Sequence, residues 1–342
     1  MQDAWITEYL DSDDFKKNVV VIEVKDAVKG RYGAIPEKLG KPIHELLARQ
    51  NINRLWSHQV EAIEQALAGK DVGLVTGVAS GKSLCYQLPV LQSWLDDDKS
   101  RSLFLFPTKA LAQDQKREMT ELVSILAEGR KCGGVGVYDG DTPQSQRRVI
   151  SQRANFIFSN PDMLHLGIMP HHTKWADFFS NLRYVVIDEV HTYRGIFGSQ
   201  FANVMRRLKR IAAFYGSHIQ FICTSATMAN TEEFLGKLLE RDVAVIDEDG
   251  SPHGRKYFVI YNPPMINKEL AIRASAMKEV VRLGAKLYNS GVQSLIFTVT
   301  RRMVELIVSY MQRKLETPDG VLGYRSGYLA KQRREIEQSL KL

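Results

Sequence analysis

Cysteine is scarce in this chain. Its 342 residues include three, Cys85, Cys132 and Cys223, odd in number and far apart. No C-x-x-C pair occurs, so neither a disulfide framework nor a cysteine zinc site is indicated, and a reducing, cytoplasmic setting fits. Long apolar runs are missing too. The longest candidates, such as Tyr184-Val185-Val186-Ile187, have strand length, far below the roughly 20 residues that span a bilayer. The N-terminus, Met1-Gln2-Asp3-Ala4-Trp5 and then Asp11-Ser12-Asp13-Asp14, lacks the positive start and apolar stretch of a secretory signal. There is no internal repeat at a fixed period and no low-complexity tract, which argues against solenoids and disordered linkers. His171-His172 is the only adjacent histidine pair and has no Cys or His partner at ligand spacing, so it argues little for a metal.

What is present is ordinary for a folded protein: 44% hydrophobic and 25% charged residues. At roughly 100–200 residues per domain, the length suggests about two domains. Lys and Arg total 46 against 39 Asp and Glu, a net charge of +7, which permits an anionic partner without demanding one.

Short runs rich in Val, Ile and Phe alternate with helical patterns. The runs begin at Val72, Leu103, Val135, Phe156, Tyr184 and Ile219, and each is four or five residues of nearly continuous hydrophobics. A parallel strand covered by helices on both faces reads this way. Helix-like stretches lie between them, at 84–95, 110–126 and 200–215. The alternation predicts an α/β fold with a parallel sheet flanked by helices. Residues 1–54 read as an N-terminal extension with one strand-like run, Val19 to Ile22. A boundary falls at Asn262-Pro263-Pro264, dividing 55–262 from 263–342. Beyond it the pattern predicts a helix over 268–289, a strand over 294–299 and a helix over 301–314.

Two local motifs carry chemistry. Thr76-Gly77-Val78-Ala79-Ser80-Gly81-Lys82-Ser83 directly follows the strand-like run at 72–75 and precedes a helix pattern. Small residues there let backbone N–H groups curl around phosphate oxygens, and the helix N-terminus adds partial positive charge. Lys82 can reach the β- and γ-phosphates, and Ser83 can offer its hydroxyl to Mg²⁺. The strict G-x-x-x-x-G-K-[ST] pattern fails at one position, where Thr76 replaces glycine. The plain alternative is a glycine-rich turn before a helix. The second motif is Asp188-Glu189-Val190-His191, after the run at 184–187. A strand ending in two acids places both at the sheet edge where open α/β sheets bind ligands. Asp188 can hold Mg²⁺, and Glu189 can orient and polarise an attacking water. Alone, each motif is weak. Together they describe a site for hydrolysing a nucleoside triphosphate.

Asp188-Glu189-Val190-His191 resembles motif II of the DEAD/DEAH-box group of superfamily 2 helicases, and other elements resemble that family in its order. Ser57-His58-Gln59 is similar to its adenine-reading element, 106–115 to motif Ia, 159–164 to motif Ib, Ser225-Ala226-Thr227 to motif III, and 294–302 to motif IV. Residues 79–86, 191–199 and 324–328 resemble the bacterial mitomycin-repair helicases and the related fungal RecQ-like repair helicases. The resemblance covers about residues 50–342. It implies a RecA-like ATP-binding lobe over 55–262 and an incomplete second RecA-like lobe over 263–342. It further implies ATP- and Mg²⁺-dependent 3′–5′ translocation on single-stranded or forked DNA in repair, RNA remaining open, by a monomer without a membrane.

By the same resemblance, Lys82, Ser83, Asp188 and Glu189 are the phosphate, metal and catalytic groups, and Gln59 reads adenine. His191, Ser225 and Thr227 couple nucleotide state to movement. Thr108, Lys109, Asn160 and Arg301 grip the nucleic-acid backbone. Motifs V and VI, the latter bearing an arginine finger, do not occur in this sequence, which predicts poor hydrolysis by this chain alone. Two other readings remain. One is a nucleotide-regulated nucleic-acid-binding fragment or pseudoenzyme. The other is a P-loop kinase or transporter ATPase, which has no need of motifs Ia, Ib and III. Basic groups at 206–210, 301–302 and 331–334 read as solvated helix faces, except the pair at 301–302 after motif IV. Tyr138 and Asp139 are candidates for lining a DNA path.

Overall fold

Six of the strand-like runs assemble into one sheet. The structure, a computed structural model, describes residues 10, 12–127 and 133–341; Cys132 lies outside them. The chain divides into two compact units, Ala27–Gly254 and Met1–Asp26 with Arg255–Leu342.

The larger unit is built on a seven-stranded sheet. Its strands are β1 (Val72–Val75), β2 (Arg101–Leu105), β3 (Gly134–Val137), β4 (Ala154–Ser159), β5 (Leu182–Ile187), β6 (Gln220–Ser225) and β7 (Ala244–Ile246). The spatial order is β7-β1-β6-β5-β2-β4-β3, and every neighbouring pair is parallel. Six of these strands answer to the predicted runs. β7 escaped notice because three residues are too few to show a period.

Side chains alternate across the sheet as the two-residue strand period requires. Phe104, Phe156, Phe158, Val186 and Ile222 pack on one face with the helices α1 (Lys41–Arg49), α2 (Ser57–Leu67), α3 (Lys82–Asp96) and α4 (Lys109–Leu126). Leu103, Leu105, Ile157, Val185, Ile187 and Phe221 pack on the other with α5 (Gly195–Phe214) and α6 (Thr231–Leu239). Phe104 and Phe158 stack with ring centroids 4.5 Å apart at the centre of the sheet. Cys85 and Cys223 lie in these two cores, fully enclosed, and burial pushes both thiols well above their ordinary range.

The parallel register decides what the fold can do. Leu105 pairs with both Ile187 and Ser159, so β2, β4 and β5 end level, while Ile187 pairs with Cys223 and Val75 with Ser225, so β6 and β1 run two residues further at the same edge. The segments after those strands, which carry the motifs, emerge at one edge.

In the smaller unit Val19–Lys25 pairs antiparallel with Lys256–Tyr261, and Phe15 stacks on Tyr261 at 5.3 Å. Helices α7 (Ala276–Asn289) and α8 (Arg301–Lys314) pack through Val281, Ala285, Ile307 and Met311. Two expectations fail here. The predicted helix over 268–289 begins only at Ala276, because Met265–Asn267 and Ile272–Arg273 form a small hairpin. The predicted strand over 294–299 is absent: the segment pairs with no strand among the described residues, and Phe297 and Val299 are 90% and 93% exposed. An apolar β-branched run has the propensity of a strand, but only a hydrogen-bonded neighbour makes it one.

Candidate functional site

The loop over 76–83, expected to bind phosphate, turns from β1 into α3. Thr76 accounts for the departure from the strict motif, since its hydroxyl lies 2.6 Å from that of Ser80, which in turn donates to the Gly77 carbonyl at 2.8 Å. The two hydroxyls brace the loop from inside. Ala79 and Gly81 take left-handed backbone angles, φ +63° and +66°. Gly81 also leaves no room for a side chain, because a Cβ there would lie 2.6 Å from Gln59 Nε2 and 2.8 Å from the Trp56 ring. Val78 is exposed at the tip. Lys82 Nζ donates to the Thr76 and Gly77 carbonyls at 3.1 and 2.6 Å, so its ammonium sits inside the loop's curve. Ser83 follows in the first turn of α3.

Gln59 lies nearly buried on α2. Its Nε2 donates to the Gly81 carbonyl at 2.9 Å, and its Oε1 accepts the Trp56 N–H at 3.0 Å. One N–H and one lone pair remain on that amide for a further partner. His58 beside it belongs to the same sequence element but had no role of its own in the sequence reading. The Gly250 N–H donates to its Nδ1 at 3.0 Å, so Nε2 carries the proton and donates to the Ser80 carbonyl at 2.8 Å. Burial lowers the His58 pKa, aided by the charges of Lys82 and Arg31; the Ser80 bond and Asp249 oppose without cancelling it. The ring is neutral near pH 7.

The acidic motif follows β5. Asp188 continues the ladder through its N–H to the Leu105 carbonyl, and its carboxylate accepts the hydroxyl of fully buried Thr224 on β6. Burial pushes the carboxyl above its ordinary value, while the Thr224 and Glu189 hydrogen bonds and the charges of Lys82 and His191 pull the other way. Lys82 is therefore close enough to be felt electrostatically at Asp188. Glu189 takes φ +51°, strained for a side-chain-bearing residue and of a kind that clusters at functional sites. Its Oε2 lies 3.2 Å from His191 Nδ1, which also lies 3.2 Å from the Ser225 hydroxyl. Acid, imidazole and serine thus link β5 to β6. Thr227 is exposed just beyond. Thr224 was missed because a threonine inside a strand carries no signal of its own.

The residues expected to grip a polynucleotide in the larger unit lie at the same edge. Thr108 caps α4 by accepting the Leu111 N–H at 3.4 Å, and Asn160 accepts the Met163 N–H at 2.8 Å. Lys109 Nζ pairs with Asp141 at 2.7 Å, both well exposed. Arg301 begins α8 in the smaller unit and is exposed.

Other candidates turn inward. Tyr138 packs edge-on against Trp175, and Asp139 is 4% exposed, holding the Asp141 N–H and the Thr142 hydroxyl, so neither presents an open side chain. Arg206 and Lys209 bond Glu240, and Arg207 lies against His165, which makes that basic face structural. His172 bonds the Tyr215 hydroxyl, and no cluster of three metal-ligating side chains occurs among the described residues. Among them, too, no helix is long and apolar enough to cross a membrane.

A lysine within a loop of small residues, a buried acid and a strained glutamate thus lie at one edge of a parallel sheet with the RecA-like helicase fold. Residues 56–234 match the DEAD/DEAH box helicase family, more than half of the chain, and the chain belongs to that family. It is 44% identical to the uncharacterized ATP-dependent helicase YprA of Bacillus subtilis (strain 168), over all of this chain and 46% of that protein. It is 37% identical to the ATP-dependent helicase hrq1 of Schizosaccharomyces pombe, over 92% of this chain and 30% of that one. The crystal structure of the DUF1998 helicase MrfA bound to DNA superposes with a TM-score of 0.92 at 45% identity, covering 98% of this chain and 45% of that one. The form bound to DNA and AMPPNP superposes with a TM-score of 0.90. The chain thus spans less than half the length of these relatives.

Proposed function

We propose that this chain is the ATP-binding portion of a monomeric, cytoplasmic DNA helicase that translocates 3′ to 5′ on single-stranded or forked DNA in repair. Residues 55–262 are its ATP-binding lobe, 263–342 the start of a second lobe, and 1–54 an extension. The observation that carries this reading is the parallel register of β1, β6 and β5, whose carboxyl ends share one sheet edge with Lys82, Asp188 and Ser225. The DNA and AMPPNP bound by the MrfA structures support the choice of ligands.

In this reading the N–H groups of residues 78–83 and the Lys82 ammonium bind the β- and γ-phosphates, while Gln59 offers its spare N–H and lone pair to adenine. Ser83 and Asp188 are hard oxygen donors, and a buried carboxylate held above its ordinary pKa fits a cation such as Mg²⁺. When bound, Mg²⁺ supplies charge neutralisation for the phosphates. Glu189, tethered to His191, orients the attacking water and accepts its proton at a carboxylate oxygen. The His191–Ser225 contact then passes the state of the site to β6 and on towards Thr227. Thr108, Lys109, Asn160 and Arg301 hold phosphates of the strand, which predicts steep salt dependence and little sequence preference.

The test is binding of a fluorescent ATP analogue with Mg²⁺, with and without single-stranded DNA or RNA. Lys82→Ala is expected to abolish nucleotide binding. Unchanged affinity in that variant refutes the site. Single-stranded DNA that alters neither ATP binding nor hydrolysis of the complete protein refutes the motor, and a stronger response to RNA moves the substrate to RNA.

A further inference from the structure

The phosphate loop is gripped from outside by a segment far away in sequence. After β7 the chain runs through Asp249-Gly250-Ser251-Pro252-His253 directly against the loop. Asp249 Oδ2 accepts the Gly77 N–H at 3.0 Å, across 172 positions of chain. Its other oxygen accepts the Ser251 N–H at 2.8 Å and the Ser251 hydroxyl at 2.6 Å, which fixes the carboxylate plane. His253 Nε2 lies 3.4 Å from Oδ2. The next peptide, Gly250, donates to His58, and His58 donates to the Ser80 carbonyl. The segment therefore holds the loop at two points, Gly77 where it begins and Ser80 near its end.

It is latched in turn. Arg31 donates to the Glu248 carboxylate at 3.0 Å and to the Asp249 carbonyl at 3.3 Å, and its own N–H donates to the Gly250 carbonyl at 2.8 Å. Gly250 allows this close approach, since a Cβ there would lie 2.2 Å from the Ser57 hydroxyl oxygen and 3.0 Å from the Ser57 backbone nitrogen. Such fixing has a clear physical use. A phosphate loop binds through successive N–H groups that must turn inward together, and a loop of small residues left alone samples many conformations. Pre-setting two of its peptides removes that ordering cost from nucleotide binding.

We propose that Asp249 is a positioning residue for the nucleotide site, acting with His58 as a two-point clamp that holds the phosphate loop in its binding conformation. The inference rests on the ATP-site reading above, and its test separates the two. Three variants of the full chain, Asp249→Ala, Asp249→Asn and His58→Gln, are titrated with a fluorescent ATP analogue and Mg²⁺ beside Lys82→Ala, with thermal unfolding measured on each.

Asp249→Ala is expected to weaken nucleotide binding about tenfold, the worth of one charge-assisted hydrogen bond. Asp249→Asn keeps an oxygen acceptor for Gly77 but turns its amide NH2 towards the Ser251 N–H, and is expected to recover part of that loss. His58→Gln should fall between them, and single-stranded DNA binding without nucleotide should stay at the parent level in all three. A merely structural role lowers thermal stability without separating the asparagine variant from the alanine variant. Parent-like nucleotide affinity in Asp249→Ala, with binding lost in Lys82→Ala, overturns the clamp and leaves the ATP site standing. If Asp249→Ala does not fold, Asp249→Asn and His58→Gln decide. The clamp predicts a smaller loss of binding in the first than in the second, and parent-like binding in both overturns it. Undiminished binding in Lys82→Ala refutes the ATP site and the clamp together.

Discussion

Replacing Gly81 by alanine tests the geometry of the phosphate loop most directly. Gly81 sits at φ +66°. Holding an alanine in that left-handed conformation costs about 1–2 kcal/mol. The new methyl group would also lie 2.6 Å from Gln59 Nε2 and 2.8 Å from a Trp56 ring carbon, both closer than real contacts allow. Gln59 is only 3% exposed, so its amide must leave the Gly81 carbonyl to make room. That adds about 1 kcal/mol for the lost hydrogen bond. The total is about 2–3 kcal/mol, roughly 30- to 150-fold in an equilibrium. If the loop keeps its shape, the cost appears as lower global stability. If the loop rearranges locally, it appears as weaker nucleotide binding.

Gly69→Ala is the matched control. Gly69 has φ +82° with nothing within 4 Å of its Cβ position, so that variant carries the backbone cost and no clash. Urea unfolding followed by circular dichroism gives the first quantity, and titration with a fluorescent ATP analogue gives the second. The reasoning is refuted if Gly81→Ala unfolds with Gly69→Ala and still binds nucleotide within about twofold of the parent.

Two further outcomes follow. His58 is held neutral, with a pKa below its ordinary value of 6.5, burial being the main cause; Asp249, Lys82 and Arg31 are the charged groups around it. Between the folded and unfolded pKa values the unfolded chain binds more protons, so this residue's contribution is complete above pH about 6.5 and declines as pH falls below it. Urea midpoints should therefore fall more steeply over that range for the parent than for His58→Gln, and equal slopes would show that His58 is not the group responsible. Lys109 is paired with Asp141, both exposed. Asp141→Asn should free that lysine and tighten single-stranded DNA binding a few-fold at about 50 mM salt, with the gain shrinking by about 200 mM; fluorescence anisotropy showing no gain at low salt would remove Lys109 from the nucleic-acid path.

Much of this protein was legible locally. A buried parallel strand needs a run of Val, Ile and Phe, a phosphate loop needs small residues before Lys-Ser, and both signals lie within ten neighbouring positions. Six of the seven strands, the helices between them and the acidic motif are of this kind. The ribbon of Val19–Lys25 with Lys256–Tyr261 is not: the first shows in part as a run at 19–22, the second was not read as a strand, and their pairing is non-local. The segment over 294–299 makes the same point in reverse: its composition suits a strand, and no ladder partner meets it among the described residues.

The candidate site divides the same way. Residue types that chemistry requires, a lysine, a serine and two acids after a strand, are properties of the sequence alone. The environment of each is not. Thr224 reaches Asp188 because β6 lies beside β5, and Asp249 reaches Gly77 because β7 lies beside β1. Hydrogen bonds act over about 3 Å of space whatever the separation along the chain. Sequence order thus determined which groups this protein has to work with, and the parallel packing of its sheet decided which of them meet.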